Sequence, residues 1–144
     1  MIVKRAYNPQ KAAAKQKCLT HFERDLKALE TSRFAANREF RARVSPILHT
    51  ARSAHQDYHA GQLSLSELQG LRPRVESQLD EVLNNPPKKG WPADAVALRN
   101  RLYRHWDEWF TFLTHPEVKP DNNDAERAKP SSSYSSQGQW WGKK

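Results

Sequence analysis

Apolar side chains in this chain recur every three or four residues and almost nowhere every second one. That spacing calls for amphipathic helices and leaves little that could form half-buried strands. Four stretches carry it. Asn8-Pro9 reads as an N-cap followed by proline at the first helical position, opening a helix that runs to about Glu30. Leu19, Phe22, Leu26 and Leu29 are its apolar stripe, and Lys17, His21 and Arg24 form a second stripe beside it. From Phe34 to Tyr58, the residues Phe40, Val44, Ile47, Ala51, Ala54 and Tyr58 share one helical face. Pro46 interrupts that pattern: either it kinks the helix, or Ser45 caps a fresh start. Gly61-Gln62-Leu63 is a tight connection, after which Ser64 and Glu67 stand at capping-box spacing. Leu68, Leu71, Val75, Leu79 and Val82 give the third apolar face, with Pro73 either bending or restarting the helix. Two such helices joined by a short turn pack as an antiparallel hairpin. Asn84 to Pro92, rich in Asn, Pro and Gly, is a break, and a fourth helix follows from Ala93 to about Thr114. Leu98, Leu102, Trp106, Trp109 and Leu113 lie on its buried side, with Tyr103, Phe110 and Phe112 near it. Aromatics at helical spacing among leucines read as core in preference to base-stacking platforms.

Size and charge narrow the function. A chain of 144 residues makes one domain and buries roughly two-thirds of its unfolded surface. The apolar runs are far shorter than a membrane span, which leaves no transmembrane helix and no membrane partner. Met1 to Arg5 lack the apolar core of a signal peptide, and a single Cys18 forms no internal disulfide. Both point to the cytoplasm. The net charge of +8 is unevenly spread: residues 1–43 hold 11 Lys/Arg against 4 Asp/Glu. A basic first third suits contact with a phosphate backbone, and it equally suits a solvated helix face. Cys18 and His21 are one helical turn apart, but a structural zinc takes about four ligands and there is no second cysteine. His55 and His59 have the spacing of a two-histidine metal pair without a completing carboxylate. They read as surface or hairpin-packing residues.

The densest motif is Pro116 to Ala128. It reads as an extended loop closed by Pro120, then a helix opened by Asn122 or Asn123. With Asn123 as N-cap, Glu126 falls at the third helical position, again capping-box spacing. The run Asp121, Asn122, Asn123, Ala125, Glu126, Arg127 resembles the Asp-Asn-Asn-x-Ala-Glu-Arg signature of the insertion sequence 66 family of bacterial DDE transposases. Lys17 to Asp25 is similar to that family's Cys-x-x-His-x-x-Arg helix, and the resemblance spans residues 6–128.

The resemblance implies an RNase H-like domain in which three carboxylates hold two divalent ions, magnesium or manganese, for phosphodiester cleavage and strand transfer at transposon ends. By this resemblance Glu126 is the third catalytic acid and a metal ligand, and Asn123 and Arg127 support its position or contact phosphate. Lys17, His21 and Arg24 are the candidate DNA-binding residues. The intact family protein would work as a possible homo-oligomer. No Asp occurs before Asp25, so the first two acids are missing. The fold expected is therefore mainly α: a helical hairpin and amphipathic helices, a partial piece of an RNase H-like α/β transposase domain lacking most of the sheet, with Glu117-Val118-Lys119 at best a short extended piece.

Residues 1–128 would be this partial catalytic domain, and 129–144 a disordered tail. Trp140-Trp141 must be encoded TGG-TGG; one base later this reads Gly-Gly, compatible with the family's continuation. A frameshift near residue 129 is therefore expected. The functional expectation is a transposase fragment without activity by itself; the alternative is a small basic helical nucleic-acid-binding protein without catalysis.

Overall fold

The computed structural model describes residues 15–121. Its elements are α1 (Leu19–Lys27), a 3-10 turn (Ala28–Thr31), α2 (Ala35–His59), α3 (Leu65–Leu83), α4 (Ala93–Arg104), a second 3-10 turn (Trp106–Glu108) and α5 (Thr111–Thr114). No strand occurs among the described residues, so this body is mainly α as expected.

The longest helix, α2, organises the packing: α1, α3, α4 and α5 all lie against it. Its hairpin with α3 follows from the chain ends at the turn. After His59 the amide of Gln62 bonds the Asp57 carbonyl at 2.8 Å, and that of Gly61 bonds Tyr58 at 3.0 Å. This paired helix stop needs a left-handed residue, which Gly61 supplies with φ 82°. The return helix opens with the expected capping box: Ser64 Oγ accepts from the Glu67 amide at 3.1 Å and Glu67 Oε1 from the Ser64 amide at 2.9 Å.

Pro46 and Pro73 both lie inside unbroken helices. A helix-interior proline costs about 3 kcal/mol or more, chiefly through a lost hydrogen bond and a clash with the carbonyl four residues earlier. Here each proline and its partner position (Ala42 and Gln69) is solvent-exposed, so water can satisfy the orphaned carbonyl. Of the two readings open for each proline, the fresh start at Ser45 and the restart at Pro73 are both ruled out.

One core joins all the helices: Leu19, Phe22 and Leu26 of α1, Phe40, Val44 and Leu48 of α2, Leu68, Val75 and Leu79 of α3, Leu98 and Leu102 of α4. Each fully buried leucine contributes about 1.5–3 kcal/mol over an exposed one. Trp91, in the break, packs edge-on against Phe40 at a centroid distance of 5.1 Å.

Two expected helices are shorter than their patterns. Residues 15–18 are not helical, so α1 begins at Leu19; the Asn8-Pro9 start lies outside the described residues. The cause is Gln16, which is 1 % exposed. Its amide donates to the Trp109 carbonyl at 2.7 Å and accepts from the Phe112 amide at 3.1 Å. Lys17 N–H donates to the Glu108 carbonyl at 2.8 Å and Thr111 Oγ1 to the Lys15 carbonyl at 2.7 Å. These residues are laced to a distant segment, and a helix would withdraw the same backbone groups.

The helix expected from Ala93 to Thr114 stops at Arg104. Residues Trp109 to Leu113 are all buried, and five consecutive side chains cannot all face inward from one straight helix. The break at His105 turns them into the core and lets Trp109 Nε1 donate to the Leu102 carbonyl at 3.0 Å. The aromatics of this region are core, as their spacing indicated: Trp106, Trp109, Phe110 and Phe112 are all at most 4 % exposed.

Candidate functional site

The connection from His115 to Asp121 leads straight into the signature motif, and the helical body holds it at several points. The Val118 amide closes a turn onto the His115 carbonyl at 2.9 Å, so Glu117 and Val118 belong to a turn, and Glu117-Val118-Lys119 forms no strand. His55 and His59, one turn apart on α2 with their rings edge-on at 4.6 Å, each approach the Pro116 carbonyl with Nε2 at 2.9 Å. A carbonyl only accepts, so both imidazoles carry their proton on Nε2. Burial pulls the His55 pKa below its ordinary value, against the opposing backbone hydrogen bonds at Pro116 and Val118 and with help from the Arg52 charge. His55 is therefore a neutral packing residue, edge-on to Phe112 at 5.3 Å.

At the end of the connection the Leu19 amide, at the start of α1, donates to the Pro120 carbonyl at 3.0 Å. Asp121 Oδ1 then accepts from Thr20 Oγ1 and from Arg52 Nη2, the latter at 2.7 Å. Arg52 also donates to Thr20 Oγ1 at 2.9 Å, and its Nε faces both Glu23 oxygens at 3.0 and 3.1 Å. One guanidinium thus links α2 to two carboxylates, one on α1 and one on the motif. Burial pushes the Asp121 carboxyl up, but the hydrogen bonds from Thr20 and Arg52 and the Arg52 charge outweigh it and hold the group below its ordinary value. Burial likewise opposes the Arg52 charge, and Glu23 and Asp121 more than restore it.

A second feature lies on the other side of α1. Lys17, Cys18, His21, Arg24 and Asp25 face Arg101, Arg104 and His105 at the end of α4 across a concavity of about 380 Å³, with Trp109 also in its wall. Arg101 is pinned there: it donates to Asp25 at 2.7 Å and its guanidinium lies 5.0 Å from the Phe22 ring centroid. Among the described residues no ion pair engages Lys17, Arg24 or Arg104. Cations so close together, in a hollow with few acids, attract an anion.

Lys17, His21 and Arg24 are therefore brought to one surface, although Lys17 stands before the helix and not on it. Arg101 and Arg104 join them from a part of the chain whose local charge is near balance, so composition alone could not place them. Thr20, Arg52 and Gln16 carried no sequence signal at all. Asn123, Glu126 and Arg127 lie outside the described residues. Among those that are described, no group of three His, Cys, Asp or Glu could hold a metal ion, and the one carboxylate of the Asp121–Arg127 signature among them, Asp121, is already taken up by Arg52 and Thr20. No described helix is long and apolar enough to cross a membrane.

Compared with known proteins, residues 4–131 match a family model described as Transposase IS66 family. No curated protein and no solved structure matches the chain.

Proposed function

This chain belongs to the IS66 transposase family, and we propose that it is the helical part of such an enzyme's catalytic domain, binding the DNA backbone through the α1–α4 hollow and carrying the third catalytic acid. The observation that supports this most is the hollow itself. Lys17, His21 and Arg24, singled out as a DNA-binding set, meet Arg101 and Arg104 there. Clustered cations position a phosphate backbone without reading its sequence, which suits a surface that grips transposon ends beside a separate cutting site.

Glu126 is the proposed third acid, with Asn123 and Arg127 supporting it. Magnesium or manganese would supply Lewis acidity to phosphodiester cleavage in this family, with Glu126 as the ligand this chain offers. The described residues do not make a metal site by themselves. A lone carboxylate cannot organise two metal ions, and the isolated chain is expected not to cut or join DNA. In this reading the protein works on DNA in the cytoplasm, and Glu126 is the only one of the three catalytic acids assigned to this chain. Residues 129–144 are proposed to be a frameshifted replacement of the family's own continuation.

The test is duplex DNA binding by the full chain across a salt series. A Lys17→Ala, Arg24→Ala, Arg104→Ala triple variant is expected to lower the slope of log K against log salt by about 2 to 3. Lys88→Ala with Lys89→Ala, on the exposed break, should leave the slope unchanged. Equal slopes for the two variants would remove the hollow as the DNA contact. Glu126→Gln should bind as the parent does; magnesium- or manganese-dependent cleavage that Glu126→Gln abolishes would overturn the proposed inactivity.

A further inference from the structure

Asp121 opens the signature, and its chemistry differs from what a carboxylate in a transposase motif first invites. We infer that Asp121 is a positioning residue and not a metal ligand: with Thr20, Arg52 and Glu23 it forms a clamp that fixes the chain at the residue that opens the signature carrying Glu126.

Three observations converge. Oδ1 of Asp121 takes both the Thr20 hydroxyl and Arg52 Nη2, the latter at 2.7 Å. A divalent cation prefers carboxylate oxygen at about 2.0–2.6 Å, so at Oδ1 it would sit against a guanidinium of like charge. Arg52 in turn cannot swing away freely, because Glu23 holds its Nε at 3.0 and 3.1 Å. The backbone beside the carboxylate is tied as well, by the Leu19 amide on the Pro120 carbonyl at 3.0 Å. Side-chain and main-chain ties at adjacent residues fix direction as well as place, which a single ion pair does not. Residues 101 and 69 positions apart in the chain, Thr20 and Arg52, converge on this one carboxylate.

The clamp's consequence for Glu126 rests on the functional reading above; the clamp itself does not, and neither DNA binding nor cleavage enters its test. Amide hydrogen exchange in the full chain reads it at Leu19, whose bond partner is Pro120. Asp121→Asn and Arg52→Gln are expected to speed Leu19 exchange about tenfold or more while amides of the α2–α3 hairpin stay near their parental rates, the pattern of a local opening. Thr20→Ser keeps the hydroxyl and should stay close to the parent, whereas Thr20→Val should follow Asp121→Asn. If Asp121→Asn fails to fold, the Thr20 pair reads the same contact. Manganese added to the parent should leave the Leu19 and Val118 amide resonances sharp. The inference is overturned by Leu19 exchange that ignores Thr20→Val, by loss of protection spread evenly over the hairpin, or by manganese broadening at Leu19 that Asp121→Asn removes.

Discussion

Replacing Arg72 with methionine should destabilise this protein far more than a charge change on the surface. Arg72 is 7 % exposed, on α3. Its guanidinium donates to Glu76 at 3.1 Å, to Thr114 Oγ1 at 3.0 Å and to the Asp107 carbonyl at 3.0 Å. It therefore ties α3 to the whole segment that follows the break at His105. Methionine keeps most of the apolar stem and removes only the donors. Hydrogen bonds to charged groups contribute about 1.5–3 kcal/mol each, and breaking a buried ion pair costs about 3–5 kcal/mol. The Glu76 side chain is 22 % exposed and recovers some water, which places the expected loss at about 3 kcal/mol, toward the low end of that range. With a urea m-value of about 1.5–2 kcal/mol/M for a body of this size, the midpoint falls by about 1.5–2 M. Urea unfolding followed by tryptophan fluorescence measures it, since Trp106 and Trp109 adjoin the segment that is released. Arg74→Met, at an exposed position of the same helix, should change stability by no more than about 0.5 kcal/mol. If Arg72→Met behaves like Arg74→Met, the guanidinium does not hold that segment and the argument fails.

Other perturbations read single contacts. Asp121 has its folded pKa below the unfolded value, so its contribution is present above the ordinary carboxylate range and is lost as pH falls through the depressed value. Acid titration of stability should accordingly show a step in the parent that Asp121→Asn lacks. Tyr103 is the opposite case: burial, then its hydrogen bond to Asp80 at 2.9 Å, push the phenol up to about 12. Its stabilisation is intact below pH 10 and disappears as pH rises toward that value, and an ultraviolet titration should lose its latest-ionising tyrosine in Tyr103→Phe. Ser64→Ala removes the hydroxyl half of the capping box and should cost about 1 kcal/mol in chemical unfolding; no loss would mean that the turn at Gly61 alone sets the start of α3.

The helical hairpin was legible in the sequence because every signal that defines it is local. Apolar spacing on α2 and α3, Gly61 at the turn and Ser64 with Glu67 act over a few residues, and backbone hydrogen bonding within a helix spans only four. Local signals also misled. The pattern from Ala93 to Thr114 continues past Arg104, yet burying Trp109 through Leu113 outweighed the hydrogen bonds that a longer helix would have kept. The stretch before Leu19 looks helical until Gln16 is seen capping backbone groups of Trp109 and Phe112, 93 and 96 residues away.

By itself, then, the sequence determined the class of fold, the hairpin, the basic first third and the family signature, because each is written in residue type and short spacing. Tertiary structure alone decided which charges act together. Arg101 and Arg104 meet Lys17 and Arg24 only because α4 ends beside α1. Asp121 meets Arg52 and Thr20 only because the connection after α5 is drawn back across α2. Electrostatic and hydrogen-bonding partners are chosen by distance in space, and no periodicity along a chain encodes a distance between residues that packing has yet to bring together.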